Sequence, residues 1–194
     1  MKKNDKIERF EIRLSGLGGQ GILTLGKIMG QALAIEHGFN VTQTQSYGPE
    51  ARGGASRSDL VLSSNRISYP KTINLDMLVA LSQEACNQYF RNLKSEGRLL
   101  VDTTLVSQTP TNNYWGLPFT ELARDRVGLV QTTNTVTLGA LTHLLPFMHS
   151  EAVTKSLTAT LPKKILEINL KAFNLGLEEA QKEYPTASKS WSYS

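Results

Sequence analysis

Hydrophobic and polar positions along the chain predict strands and helices that alternate. Residues 10–15 alternate between apolar and polar side chains, as a strand with one buried face does. From Ile22 to Leu33 apolar residues recur at helical spacing, and Gly38 follows as a C-terminal stop. Residues 75–81 are almost continuously apolar, which is typical of a central parallel strand covered on both faces.

The remaining segments continue this alternation. Residues 58–63, a turn at Asn65 and Arg66, and residues 67–69 predict a small antiparallel hairpin. Further strands are predicted at 40–45 and 98–102, and further helices at 83–94, 120–126, 135–145, 151–157 and 163–177. The sequence therefore predicts an α/β fold in one domain spanning residues 1–194. It has a Rossmann-like, mostly parallel sheet flanked by helices, a β-hairpin insertion and a helical C-terminal third.

The predicted C-terminal helices carry more apolar residues than one flank of a small sheet needs. We therefore expect part of this surface to be an interface, either with partner chains or in a homodimer. The residues concerned are Leu138, Leu141, Leu144, Leu145 and Phe147.

Charge and hydropathy argue against nucleic-acid and membrane partners. The net charge is +4, but Lys and Arg are scattered among acidic residues, and the aromatic residues form no stacking platform. The basic start of the chain is followed by no apolar stretch of signal-peptide length. Residues 138–148 are too few to span a bilayer. We expect a cytoplasmic protein.

The inventory of metal ligands is small. One cysteine, Cys86, excludes an intrachain disulfide and any iron–sulfur or zinc site made of cysteines of this chain alone. Its helical context favours a buried, unreactive thiol. The three histidines form no His-x-x-x-His pair, so a mononuclear metal site is not expected.

The strand at 10–15 leads directly into a glycine loop, Gly16-Leu17-Gly18-Gly19-Gln20-Gly21. A loop of this kind between a strand and a helix places backbone N–H groups and a helix N-terminus against an anionic group. We expect Gly16 to permit the tight turn, Gly18 to let the backbone approach a ligand, and Gly21 to allow the helix to pack on the strand.

Three interpretations of this loop remain open. Binding of NAD or FAD would call for an Asp or Glu about 20 residues further on, at the end of the next strand. Residues 42–46 contain neither, and Gly19 and Gln20 depart from the usual dinucleotide pattern. The loop can instead be a tight connection without a ligand. It can also approach a phosphate or carboxylate, on this chain or at a subunit interface.

A second loop follows the next predicted strand: Tyr47-Gly48-Pro49-Glu50-Ala51-Arg52-Gly53-Gly54-Ala55-Ser56. Together, at this spacing, the two loops closely resemble the gamma subunit family of the 2-oxoacid:ferredoxin oxidoreductases. The resemblance continues through 76–81, 97–102 and 134–140. The second loop is most similar to the 2-oxoglutarate branch of that family, with pyruvate and branched-chain or aryl 2-oxoacids as alternatives.

The resemblance implies a subunit, not active alone, of a complex that converts 2-oxoglutarate to succinyl-CoA and reduces a ferredoxin-type acceptor. In that family the alpha and beta subunits form the thiamine diphosphate site. The iron–sulfur clusters belong to beta or delta. The resemblance therefore implies alpha, beta and delta partners, and no catalytic residue on this chain.

Coenzyme A supplies the anion that the loops would hold. A helix N-terminus and a nearby guanidinium are well suited to its phosphates. If the two loops leave the carboxyl ends of adjacent parallel strands, Arg52 reaches the group that Gly18 approaches. The candidate cofactor-binding residues are Gly16, Gly18, Gly19, Gln20, Gly21, Tyr47, Glu50, Arg52, Gly53 and Gly54.

Other roles for these residues stay open. Glu50 can pair with Arg52 or Arg57 and only shape the loop, and Tyr47 can pack without taking part in chemistry. Two other functions are also kept. One is a free-standing NAD(P)- or FAD-dependent oxidoreductase domain, and the other is a structural scaffold whose loops bind no small molecule.

Overall fold

One mixed β-sheet organises the molecule. The computed structural model describes residues 6–46 and 55–187. Within them the strands are β1 (Phe10–Gly16), β2 (Asn40–Ser46), β3 (Ser56–Ser63), β4 (Leu75–Ala80), β5 (Leu93–Asp102) and β6 (Tyr114–Leu117). Their order across the sheet is β2-β3-β1-β4-β5-β6.

The helices are α1 (Ile22–Gln31), α2 (Gln83–Tyr89), α3 (Phe119–Glu121), α4 (Thr133–Leu144), α5 (Ser150–Thr160) and α6 (Lys163–Glu183). α1 continues as a π-helical turn, Ala32–Glu36, and α3 continues as Leu122–Val127. No helix in residues 6–46 and 55–187 is both long enough and apolar enough to cross a membrane.

Strand directions confirm the predicted α/β class. β1, β4, β5 and β6 run parallel to one another, whereas β3 is antiparallel to both β1 and β2. β2 therefore points the same way as β1, although β3 lies between them. The carboxyl ends of β1, β2 and β4 and the start of β3 consequently meet at one edge of the sheet.

The antiparallel part of the sheet differs from the hairpin expected from the sequence. Residues 67–69 do not form a strand, so the predicted pairing with residues 58–63 is wrong. β3 uses one side to pair with β1 and the other to pair with β2. Because both of its edges are occupied, no hydrogen-bonding edge remains for the segment after the turn.

The short edge strand β6 was not expected. Its four residues pair in parallel with the end of β5, Leu99 opposite Tyr114 and Asp102 opposite Leu117. The local sequence contains Gly116 and is followed by Pro118, both unfavourable within strands. Pairing with β5 therefore overrides the local preference.

The expectation of an exposed apolar face on the C-terminal helices is wrong for this chain. Every residue of α4 except His143 is buried, because α1, α3, α5 and α6 surround it. Leu138, Leu141, Leu144 and Leu145 are at most 1% exposed, and Phe147 is 7% exposed. The apolar residues of α4 therefore pack inside the chain and form no exposed face. These residues belong to the same cluster as those of α1 and of the facing side of the sheet.

The crossing of α4 and α6 depends on two glycines. A Cβ atom added to Gly139 would overlap the Phe173 carbonyl oxygen, and one added to Gly176 would overlap the Val136 carbonyl oxygen. Two helix backbones in direct contact leave no room for side chains between them. The position of α4, and of the segment that enters it, is thereby fixed against α6.

Candidate functional site at the glycine loop

The glycine loop connects the carboxyl end of β1 to the first turn of α1. Gly19 and Gly21 have φ values of 90° and 70°, in the left-handed region that favours glycine. Around Gly18 and Gly19 the described residues leave the space open, since none of them lies within 4 Å of an added Cβ atom at either position. The described residues therefore leave this part of the backbone accessible, and the approach of a ligand to Gly18 stays a prediction.

A cavity of about 450 Å³ lies against the loop and the first turn of α1. Among the described residues its lining contains no titratable side chain: Leu17, Gly18, Gly19, Gly21, Ile22, Leu23, Thr24 and Ser56. The first intrahelical bond runs from the Leu25 N–H to the Gly21 carbonyl, at 2.9 Å. The N–H groups of Ile22, Leu23 and Thr24 come before this bond and have no partner within the helix, so they are available to an anion.

Gln20 is part of the loop's own framework. Its side-chain oxygen accepts a hydrogen bond from the Leu17 N–H at 2.6 Å, and its Nε2 donates to the Leu81 carbonyl at 2.9 Å. Leu81 follows β4, so this amide joins the glycine loop to the neighbouring strand. A Cβ atom on Gly16 would overlap the Gln20 oxygen. Gly16 accordingly makes room for Gln20, a different role from the turn-forming one expected.

The second loop starts and ends at the same edge of the sheet. β2 ends at Ser46, which is paired with Arg57, and Gly16 at the end of β1 is paired with Ser56. Five predicted site residues lie outside the described residues: Tyr47, Glu50, Arg52, Gly53 and Gly54. The two loops were expected to follow adjacent strands. This expectation is wrong, because β3 separates β1 from β2.

The end of the second loop is held by α2. The backbone N–H of Ala55 donates to Gln88 Oε1 at 3.3 Å, and the Tyr89 hydroxyl donates to the Ala55 carbonyl at 3.0 Å. The Tyr89 ring contacts the Arg13 guanidinium, 4.8 Å from its centroid. Arg13 is in turn bound by Asp59 in a buried bidentate pair of 2.7 and 2.8 Å.

Arg57 supplies positive charge at this edge. Its guanidinium also lies over the Tyr89 ring, 5.7 Å from the centroid. Unlike Arg13, it makes no ion pair with an acidic residue in the described part of the chain. Alternation along β3 places Arg57 on the α2 side of the sheet, opposite Ser56, which lines the cavity at the glycine loop.

Potential acid–base groups lie elsewhere or are buried. The Cys86 thiol is buried as predicted, and burial raises its pKa. Burial also raises the pKa of Asp102, whose carboxylate accepts hydrogen bonds from Thr104 and Thr120. His143 contacts the Tyr184 carbonyl at 2.8 Å. Within residues 6–46 and 55–187, no three His, Cys, Asp or Glu side chains are grouped to hold a metal ion.

Residues 11–179 match the family model described as pyruvate ferredoxin/flavodoxin oxidoreductase. The chain belongs to this family. The 2-oxoglutarate synthase subunit KorC of Methanocaldococcus jannaschii is 44% identical, over 93% of this chain and 99% of the relative. The resemblance predicted from the two loops is therefore confirmed.

A solved structure and a longer relative extend the comparison. The gamma subunit of the keto/oxoacid ferredoxin oxidoreductase from Geobacter sulfurreducens PCA is 41% identical, with a TM-score of 0.79. That match covers 89% of this chain and 99% of the other. The ketoisovalerate oxidoreductase subunit VorA of Methanothermobacter thermautotrophicus is 32% identical over 88% of this chain, but only 36% of VorA is covered. The region of VorA that matches this chain is therefore one part of a longer protein.

One residue of this region of the family fold had no role predicted from sequence. Asn134, at the start of α4, donates a hydrogen bond from Nδ2 to the Gly21 carbonyl at 3.2 Å. Beside it lies a second cavity, of about 260 Å³, which also borders Gly21 and Thr24. The sequence feature that points to Asn134 is a run of polar residues, 132–135, immediately before an apolar helix. Only the packing of α4 shows what this run contacts.

Proposed function

We propose that this chain is the gamma-type subunit, a single α/β domain, of a multi-subunit 2-oxoacid:ferredoxin oxidoreductase. It has no catalytic residue, supports assembly, and holds an anionic group of coenzyme A at the glycine loop. The observation that carries the proposal is the backbone at Gly18 and Gly19, which is open among the described residues. It lies beside first-turn N–H groups without a partner in α1, and beside a cavity whose described lining has no titratable side chain. Such a surface can bind and orient a ligand.

Coenzyme A suits this surface because its phosphates match backbone N–H donors at a helix N-terminus. Arg57, at the same edge, adds positive potential from the other side of the sheet. Arg52, in the second loop, is proposed to bind the same anionic group directly. Of the other predicted residues, Gln20 contributes by holding the loop, because both ends of its amide are already bonded within the chain.

The redox cofactors are assigned to other chains. Cys86 is a lone buried thiol and does not fit an iron–sulfur cluster. The described residues likewise group no three ligands for the metal ion that thiamine diphosphate binds with. We therefore place thiamine diphosphate and the clusters on alpha, beta and delta partners. Partner chains are supported by the relatives' names, which describe subunits of oxidoreductases.

Among 2-oxoacids, 2-oxoglutarate is the proposed substrate of the complex, with a ferredoxin-type acceptor. The support is the higher identity to a 2-oxoglutarate synthase subunit, 44%, than to a ketoisovalerate oxidoreductase subunit, 32%. A dinucleotide-dependent oxidoreductase is not favoured. In a dinucleotide-binding fold the second strand lies beside the first and ends in an acidic residue that binds the ribose. Here β2 ends in no acidic residue, and β3 lies between β2 and β1. Cytoplasmic location and homodimer formation stay predictions.

The test is the substitution Arg52→Ala in the assembled complex. A charge-assisted hydrogen bond contributes roughly 1.5 to 3 kcal/mol, so the apparent KM for coenzyme A should rise about tenfold to a hundredfold. The KM for the 2-oxoacid should change little. Arg124→Ala serves as the control, because Arg124 is exposed and bonds only its neighbour Asp125 among the described residues.

The rival role for Arg52 predicts a different result. If it only pairs with Glu50 and shapes an interface, Arg52→Ala lowers the yield of complex on gel filtration. The KM for coenzyme A of the remaining complex then stays at its original value. That outcome would end the proposal for coenzyme A at this loop and leave membership of the family untouched.

A further inference from the structure

Asn134 connects the glycine loop to helices more than a hundred residues away in sequence. It lies in the first turn of α4 and is 7% exposed. Its Nδ2 donates to the Gly21 carbonyl at 3.2 Å. This carbonyl also accepts the Leu25 N–H, the first hydrogen bond of α1. The Asn134 amide therefore binds the carbonyl of the residue at which the glycine loop ends and α1 begins.

The contact is tight on the side of Gly21. A Cβ atom there would lie 2.9 Å from Asn134 Cγ and closer still to Nδ2. Gly21 also has a φ of 70°. Two independent features, backbone conformation and the position of the Asn134 amide, thus require glycine at this position.

On its other side Asn134 is supported by α6. The Thr135 hydroxyl lies 2.6 Å from Asn169 Oδ1 and 3.3 Å from Asn134 Oδ1. Asn169 is held by a hydrogen bond from its Nδ2 to the Ile165 carbonyl at 2.8 Å. All three side chains are at most 8% exposed. Buried polar groups joined in this way have a defined geometry, because each lost partner leaves an unsatisfied group.

We infer that Asn134 is a positioning residue for the glycine loop, which it holds from the C-terminal helices through the Gly21 carbonyl. The direction of the Gly21 peptide sets the direction of the first-turn N–H groups at Ile22, Leu23 and Thr24. The consequence for coenzyme A rests on the proposed function, but the effect on loop geometry does not.

The test compares Asn134→Ala and Asn134→Leu with the control Thr142→Ala. Leu has the same number of side-chain heavy atoms and the same branching as Asn, favours helix and cannot donate a hydrogen bond, so this variant tests the donor even if Asn134→Ala folds poorly. Thr142 is buried in the same helix, and within residues 6–46 and 55–187 its hydroxyl bonds only the Leu138 carbonyl of its own helix. Hydrogen exchange in the full chain should rise roughly tenfold at the Leu17, Gln20 and Leu25 amides in both Asn134 variants. It should stay unchanged there in Thr142→Ala.

Steady-state kinetics of the assembled complex gives the second readout. The apparent KM for coenzyme A should rise about tenfold, while the KM for the 2-oxoacid stays unchanged. Faster loop exchange with an unchanged coenzyme A constant would support the positioning role and refute coenzyme A binding at this loop. Unchanged loop exchange in both variants overturns the inference. So does an equal increase across the loop and the central strands β1 and β4, because that reports general destabilisation.

Discussion

Two glycine pairs in this molecule occupy opposite surroundings. At the crossing of α4 and α6, Gly139 and Gly176 each face the backbone of the other helix, and a methyl group would overlap it. In the glycine loop, Gly18 and Gly19 face open space. The first pair is explained completely by packing within the chain. For Gly18, whose φ is not positive, the fold gives no such reason.

The difference separates residues that specify the fold from residues that serve a ligand. A closed glycine is required before any partner is present, and its replacement must affect stability. An open glycine whose φ is not positive, such as Gly18, can be replaced at little cost to folding, so any loss of function arises from what approaches it. The proposed function therefore predicts that the two pairs respond to different assays.

The largest expected effect is that of Gly176→Ala. The methyl group would meet the Val136 carbonyl, which cannot move away by changing a rotamer. Overpacking typically destabilises by 1–3 kcal/mol, and contact with backbone places this variant at roughly 3 kcal/mol or more. For a chain of this size the Tm should fall by about 10 °C. Thermal unfolding followed by circular dichroism measures this change.

Gly30→Ala is the matched control, since Gly30 lies within α1. There the nearest atom to an added Cβ is Leu60 Cδ2 at 3.3 Å, the end of a flexible side chain. Alanine is favoured over glycine inside helices by about 1 kcal/mol, so this variant should be neutral or slightly more stable. Equal destabilisation by both variants would mean that the helix crossing has no special requirement.

The next effect is that of Gly18→Val, which should separate function from stability. An added Cβ atom meets no described residue within 4 Å, so the free energy of unfolding should change by less than about 1 kcal/mol. The same side chain would keep a ligand away from the backbone. In the assembled complex the KM for coenzyme A should rise about a hundredfold, with the 2-oxoacid constant unchanged. A large fall in Tm would remove the distinction between the two glycine pairs.

The parts of the fold that could be predicted from sequence are those set by local pattern. The apolar run of β4, the amphipathic α1 and the glycine loop between β1 and α1 were all placed correctly. The pairing of β3 was not, because a strand and a following turn do not reveal that β2 already occupies the second edge. The burial of α4 was missed for a related reason: its apolar residues were taken for surface before α6 was known to cover them.

For the site, sequence indicated which loop is involved but not what holds it. Gly18 was expected to let the backbone approach a ligand, and no described residue lies close to the position of an added Cβ atom at Gly18 or Gly19. The roles of Gln20 and Asn134 depend on contacts with Leu81 and Gly21, across 61 and 113 residues of sequence. Such contacts have no periodicity and no motif. They arise from the tertiary arrangement alone.

The smallest effect is expected at the far end of the helical segment that begins at the glycine loop. His37 follows the π-helical turn after α1, and its Nε2 accepts a hydrogen bond from the His149 N–H at 3.3 Å. Burial, and then the neighbouring His149, lower the pKa of His37, while Glu36, paired with Lys155, opposes them. The lowered pKa means that the folded protein favours neutral His37.

The stability that neutral His37 provides should be complete above its ordinary pKa of about 6.5 and should decrease as pH falls below it. His37→Gln keeps a hydrogen-bond acceptor but cannot be protonated. Urea unfolding at pH 7.5 and pH 5.5 should therefore show a smaller loss of stability at low pH in the variant than in the parent chain. The KM for coenzyme A should be the same in both, because His37 lies at the opposite end of this segment from Gly18. An equal pH dependence of stability in the two proteins would exclude His37 as the titrating group. A changed KM for coenzyme A would show that the glycine loop responds to a change in stability at the far end of this segment.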